Sequence, residues 1–144
     1  MSLARQAMTA GTARFAGCLL LVAPALAWLG QSLMGLQLFT PSWHAAVWAF
    51  GLAPLLEEYV FRSLLQCGLQ HRLSAARQAG HLANLLTAGA FVAAHYPAHG
   101  WLAAAWLLPA LALGELWRRT GELWPCVLMH SWFNLSLAGI SRFL

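Results

Sequence analysis

Two adjacent glutamates, Glu57 and Glu58, lie inside the apolar run LAPLLEEYVFRSLLQ, and Arg62 follows the second by four residues. An ionised carboxylate in such surroundings is costly unless it is paired or lines a wet cavity. The chain has only four acidic residues, so half of them are here. On a helix, Glu58 and Arg62 share a face and can form an ion pair. Glu57 is turned about 100° from Glu58. One carboxylate is then neutralised and the other is left for chemistry. A buried ionic lock between helices is the plainer alternative, but a lock needs one glutamate and leaves the other without a role.

Histidines supply groups for Glu57 to face. His95 closes FVAAH, four residues after Phe91, and His130 stands four residues before Asn134 in HSWFN. A buried carboxylate holding a water can act as a general base, and an imidazole can orient that water or carry the proton onward. A second imidazole and a carboxamide, one turn apart, can donate to an oxyanion. Together these groups suit attack of water on an amide carbonyl. Nucleophilic catalysis fits less well. Ser131 lies on a different helix face from His130, and Cys126 as nucleophile would leave the glutamates idle. Zinc is the stronger competitor, because two His and one Glu form a known ligand set with an open position for water. HExxH is absent, so such ligands would come from three separate helices, with Asn134 outside the first ring of ligands. His44, His71, His81 and His99 fall near segment ends, where interfacial solvation explains them.

The elements that must position these groups are apolar helices. Of 144 residues, 60% are hydrophobic and 8% charged, against about 25% charged in a soluble domain. Lipid is the expected solvent. Five apolar segments follow, at about 15–38, 42–70, 81–96, 100–117 and 122–141, with no strand alternation. The expected fold is all-α, a single transmembrane bundle of about five helices over 1–144. Ala25-Leu26-Ala27 looks like a signal-peptidase site, but the apolar run continues to Leu38. That is about 24 residues, enough to span about 30 Å of hydrocarbon, which predicts a retained first helix. Pro54 lies one turn before the glutamates and can open the local helix. The polar stretch 71–80 reads as a loop, and Gly121 reads as a helix C-cap. Glu122 is expected in the first turn of the last helix.

All eight basic residues are arginines. With five spans, Arg5, Arg14, Arg72, Arg77, Arg118 and Arg119 fall on one side and Arg142 on the other, which predicts a cytoplasmic N-terminus. The arginines do not cluster into a nucleic-acid surface. Cys18, Cys67 and Cys126 sit in apolar runs without metal or disulfide spacing.

The motifs EEYVFR at 57–62, FVAAH at 91–95 and HSWFN at 130–134 occur in order on successive helices. They resemble the EExxxR, FxxxH and HxxxN signatures of the CPBP family, the CaaX prenyl protease and bacteriocin-processing enzymes, also called Abi proteins. The resemblance covers about 42–140; the helix at 15–38 carries no motif. It implies a metal-free, glutamic-type intramembrane endopeptidase. In it Glu57 activates water with His95, His130 and Asn134 stabilise the oxyanion, and Glu58 and Arg62 brace the motif. The implied partners are the lipid bilayer and a membrane-associated protein or peptide substrate. The chain is short for the family and looks like a minimal bacterial member of the inner membrane, where processing of peptides or C-terminal sorting signals is the expected task. A non-catalytic immunity or scaffold protein is the alternative from another class; its phenotype would survive loss of Glu57.

One geometric difficulty accompanies this reading. Glu57 lies mid-helix, His95 near the outer end of its helix and His130 two turns into the last. Straight helices with the stated boundaries do not bring the three together, so either the third helix is displaced or tilted, or the boundaries are off by a turn.

Overall fold

A computed structural model describes residues 9–34 and 42–140. The described residues are all-helical. They form four continuous helical stretches. The first is α1 (Ala10–Met34), started by Thr9, whose hydroxyl accepts from the Thr12 amide. The second is α2, residues 43–72, capped by the Ser42 hydroxyl on the Ala45 amide. The third spans 79–120 and folds on itself. Its arms are α3 (Ala79–His99) and α4 (Leu107–Thr120), joined by a 3₁₀ link at Gly100–Trp106. The last is α5 (Leu123–Ile140).

The fold in the third stretch has a local cause. Gly100 adopts φ 58°, a left-handed conformation that costs glycine least. The arms then run back antiparallel. Asn84 on α3 donates to the Leu111 carbonyl on α4, and Phe91 packs with Ala110. Gly121 (φ 65°) closes α4, and its amide bonds the Trp117 carbonyl, as the sequence predicts.

Two stretches are long and apolar enough to cross a membrane, Ala10–Leu33 and the folded Ala79–Thr120. Helix limits differ from the sequence reading in four places, one of them the fourth helix, expected from about residue 100 but begun at Leu107 after the 3₁₀ link. Helix α1 begins five residues earlier than expected, because Thr9 and Thr12 form a cap; the expected continuation to Leu38 lies outside the described residues, as do Arg5 and Arg142. Helix α3 runs through Pro97 to His99; a proline in the last turn forfeits a single backbone bond. Glu122 stands just before α5 instead of in its first turn, its amide held by the Thr120 hydroxyl.

Helix α2 is not uniform. Wide π turns at Trp48–Leu52 and Tyr59–Gln66 flank an α segment at Ala53–Glu58. Mixing α and π turns averages about four residues per turn. Residues 58, 62 and 66 therefore stack in one column, and all three are fully buried.

That column binds α2 to α4. Arg62 Nη2 donates to the Ala110 carbonyl and Gln66 Nε2 to the Gly114 carbonyl. Both bonds join residues 48 apart, so the two helices run parallel in register. Small residues let the backbones approach, and Gly114 is the tightest point. A Cβ there would overlap the Asn84 carboxamide oxygen and sit 2.9 Å from Arg62 Nη1. Gly114→Ala should destabilise the bundle by about 1–3 kcal/mol, the usual cost of overfilling a packed interior. The unfolding midpoint in micelles reads it, and Asn84→Ala in the same chain should recover part of the loss. An unchanged midpoint would mean that the approach is looser than described.

Candidate active site

Arg62 is the hub of the buried polar network. Its Nε donates to Glu58 Oε2 at 2.8 Å and its Nη1 to Gln66 Oε1 at 3.1 Å. With the bond to Ala110, each guanidinium nitrogen has a partner. The Glu58–Arg62 pair expected from spacing is present, and both side chains are 0% exposed.

The second oxygen of Glu58 has a use that spacing does not reveal. Glu58 Oε1 lies 2.7 Å from His130 Nδ1. A carboxylate only accepts, so Nδ1 carries the proton, and Nε2 is the ring atom turned toward Glu57. His95 is fixed the same way by another partner. Its Nδ1 donates to the Phe91 carbonyl at 2.8 Å, one turn back on α3. The ring also stacks on Phe91, with centroids 4.3 Å apart. Phe91 thus positions His95 through both its backbone and its side chain.

Three elements meet at Glu57. His95 Nε2 from α3 is 3.9 Å from Glu57 Oε2, and His130 Nε2 from α5 is 3.8 Å from the same oxygen. These separations are too long for direct hydrogen bonds and suit one bridging water. Glu57 is 29% exposed while its neighbour Glu58 is 0% exposed. The adjacent carboxylates therefore face different environments, one sealed and one open. The depth difficulty is resolved by length: α3 continues past His95 by a turn, which sets that histidine inside the bundle instead of at its rim.

Asn134 stands elsewhere in the network. Its Nδ2 donates to the Ala49 carbonyl at 2.8 Å. The reason lies in α2. The Ala53 amide bonds the Trp48 carbonyl, five residues back. The next bond of that series would run from residue 54 to Ala49, but Pro54 has no N–H. Asn134 supplies the missing donor and thereby ties α5 to the wide turn before the glutamates. One of its two N–H groups remains for other use.

Gln66, Asn84 and Gly114 belong to this network and were not anticipated. Gln66 was legible, since it continues the Glu58–Arg62 spacing by another four residues. Asn84 and Gly114 carry no such signal, because their role depends on how α3 and α4 cross. No group of three His, Cys, Asp or Glu among the described residues is gathered tightly enough to hold a metal ion. Tetrahedral zinc would set its nitrogen and oxygen ligands about 3.3–3.5 Å apart, closer than the spacing around Glu57.

The described residues thus bring a sealed ion pair, an open carboxylate and two converging imidazoles together within one helical bundle. The type II CAAX prenyl endopeptidase Rce1-like family matches residues 39–136, more than half of the chain. The protein belongs to that family, and is therefore a membrane protease acting on a peptide or protein. No curated protein and no solved structure matches it.

Proposed function

We propose that this protein is a glutamic-type intramembrane endopeptidase that cleaves a membrane-associated protein or peptide near its membrane segment. The observation that carries the reading is the convergence of two imidazole Nε2 atoms on Glu57 Oε2, each too far for a direct hydrogen bond but near enough to share one water beside them. A water in that space gives one proton to Glu57 as its oxygen attacks the carbonyl carbon. His95, its Nδ1 proton committed to Phe91, keeps the water in line through Nε2. The free N–H of Asn134 donates to the oxygen that becomes negative, and His130 joins it as a donor in its imidazolium form, with Nδ1–H on Glu58 and Nε2–H on that oxygen. The C–N bond then breaks, and the proton taken from water passes to the departing amine. Glu58 and Arg62 hold His130 and the helix rather than the substrate.

The same reading has all five helices crossing a bacterial inner membrane with the N-terminus in the cytoplasm. Arginine placement supports it. Arg119 lies over the Phe15 ring at 4.6 Å, and Arg118 passes Gly80. The start of α1, the start of α3 and the end of α4 therefore share one basic end.

Purified protein in lipid nanodiscs, incubated with single-span peptides, tests the reading. An internal cut that appears with the natural protein and vanishes with Glu57→Ala is expected; a cut that persists sinks the mechanism. Metal analysis separates the zinc alternative. Activity should survive a chelator, and stoichiometric zinc whose removal stops cleavage would overturn the metal-free form.

The two histidines should differ in a revealing way. His130→Ala leaves a buried Glu58 oxygen without its donor, so it should cost about 1–3 kcal/mol of stability as well as activity. His95→Ala should cost activity with little change in stability, because its hydrogen bond stays within its own helix turn. Melting curves and cleavage rates measured on both variants check this; equal stability losses would contradict it.

A further inference from the structure

Pro54 is fully buried in α2, one turn before Glu57. Its ring nitrogen carries no hydrogen, and the Ala53 amide is committed to the Trp48 carbonyl. The Ala49 carbonyl thus lacks both donors that its own helix would offer, residue 53 in an α turn and residue 54 in a π turn. It accepts from Asn134 Nδ2 on α5 instead, at 2.8 Å. A second bond joins the same two helices: His130, one turn before Asn134, reaches Glu58 Oε1 at 2.7 Å. The two bonds meet α2 on either side of Glu57 in the chain. One such bond fixes where α5 lies along α2; the pair also fixes its turn about its own axis. His130 and Asn134 both line a cavity of about 260 Å³ between α1, the 3₁₀ link with α4, and α5. The carboxamide is therefore reached from open space as well as from α2.

We propose that Pro54 is a positioning residue for the reaction: by leaving the Ala49 carbonyl bare it captures the Asn134 carboxamide and holds the remaining N–H in place for the oxyanion. The inference rests on the endopeptidase reading and adds a residue to it. A donor that samples several orientations stabilises developing charge less than one fixed beforehand. A backbone N–H at position 54 would compete with Asn134, because it needs no second helix to deliver it. The wide turn then closes on its own bond and the carboxamide is no longer held. A proline that only bends α2 would behave differently, since its effect would be the same whether residue 134 carried an amide or not.

Pro54→Ala, Asn134→Ala and the double variant form a cycle that is read twice in nanodiscs. The first reading is cleavage of single-span peptides. Asn134→Ala should lower kcat about 10²–10³-fold, as loss of an oxyanion donor does. Pro54→Ala keeps that donor and loses only its placement, so kcat should fall about tenfold, one such factor short of removing the group. KM should change little in either. In the double variant Pro54→Ala should add nothing, because the group it positions is gone. Losses that multiply, or full activity in Pro54→Ala, would overturn the proposal. The melting midpoint is the second reading and needs no substrate. Asn134→Ala leaves the Ala49 carbonyl without a donor and should lower the midpoint by about 4 °C. With Pro54→Ala already present the same change should cost less than half as much, since residue 54 then supplies an N–H; equal shifts in both backgrounds would refute the competition. Pro54→Val restores the N–H while filling most of the ring's space, and should repeat both patterns. If valine instead matches the natural protein, ring volume is what matters and the proposal falls. Failure of the endopeptidase reading looks different: the natural protein then leaves the peptides uncut while the midpoints still show the coupling.

Discussion

Glu57→Gln is expected to remove cleavage almost completely while the protein stays folded. The substitution keeps shape and polarity but removes the ability to take a proton. General-base catalysis contributes about 10²–10⁴-fold, and the loss in kcat should be at least that large. Glu57 can be changed safely because its nearest partners, the two Nε2 atoms, are 3.8 and 3.9 Å away; no direct hydrogen bond is broken. It is also partly open, so the amide remains solvated. Substrate affinity should hold, which places the loss in kcat with little change in KM. The check is paired: single-turnover cleavage in nanodiscs and a melting curve on the same sample. Retention of even a tenth of the natural rate would remove Glu57 from the role of base. A large fall in melting midpoint would instead make it part of the frame.

Arg62→Ala should have the opposite signature, in which stability falls first and activity follows. Removing one partner of a fully buried pair costs about 3–5 kcal/mol, because the remaining charge is stranded. Here Glu58 would keep only His130, while the Gln66 oxygen and the Ala110 carbonyl each lose a donor. The α2–α4 register is held by this column, so the whole bundle should loosen. Unfolding in mixed micelles reads the change, and accumulation of the protein in membranes should drop with it. Arg62→Lys should rescue only part, since an ammonium cannot reach three acceptors in the guanidinium fork. Wild-type stability in Arg62→Ala would refute the hub role. The two variants thus separate neighbouring parts of one motif, the open carboxylate proposed as the base and the sealed pair beside it.

The different surroundings of Glu57 and Glu58 were legible because they are set locally. Residues four apart on a helix meet whatever the rest of the chain does, and adjacent residues diverge. The same logic exposes Phe91 with His95 and His130 with Asn134, and it would have exposed Gln66 had the column been followed one step further. Hydropathy likewise located the helices among the described residues, most limits within about a turn, but it set α1 five residues late and α4 seven residues early. It underestimated α3 because a proline near a helix end interrupts a pattern without ending the helix.

The sequence by itself determined the all-helical class, the membrane solvent, the Glu58–Arg62 pair and the candidate side chains of the site. Tertiary structure alone decided how those side chains are used. It joined His130 to Glu58 across 72 residues, turned Asn134 toward the carbonyl that Pro54 leaves bare, and drew the Asn84 and Gly114 contacts around Arg62. It also set α1 against the cavity beside His130. The physical reason is one of range. Helix periodicity fixes which residues share a face, but the depth, register and crossing of helices come from packing between segments far apart in the chain. The open carboxylate was visible as an anomaly in fifteen residues; the two imidazoles that face it are brought there only by the bundle.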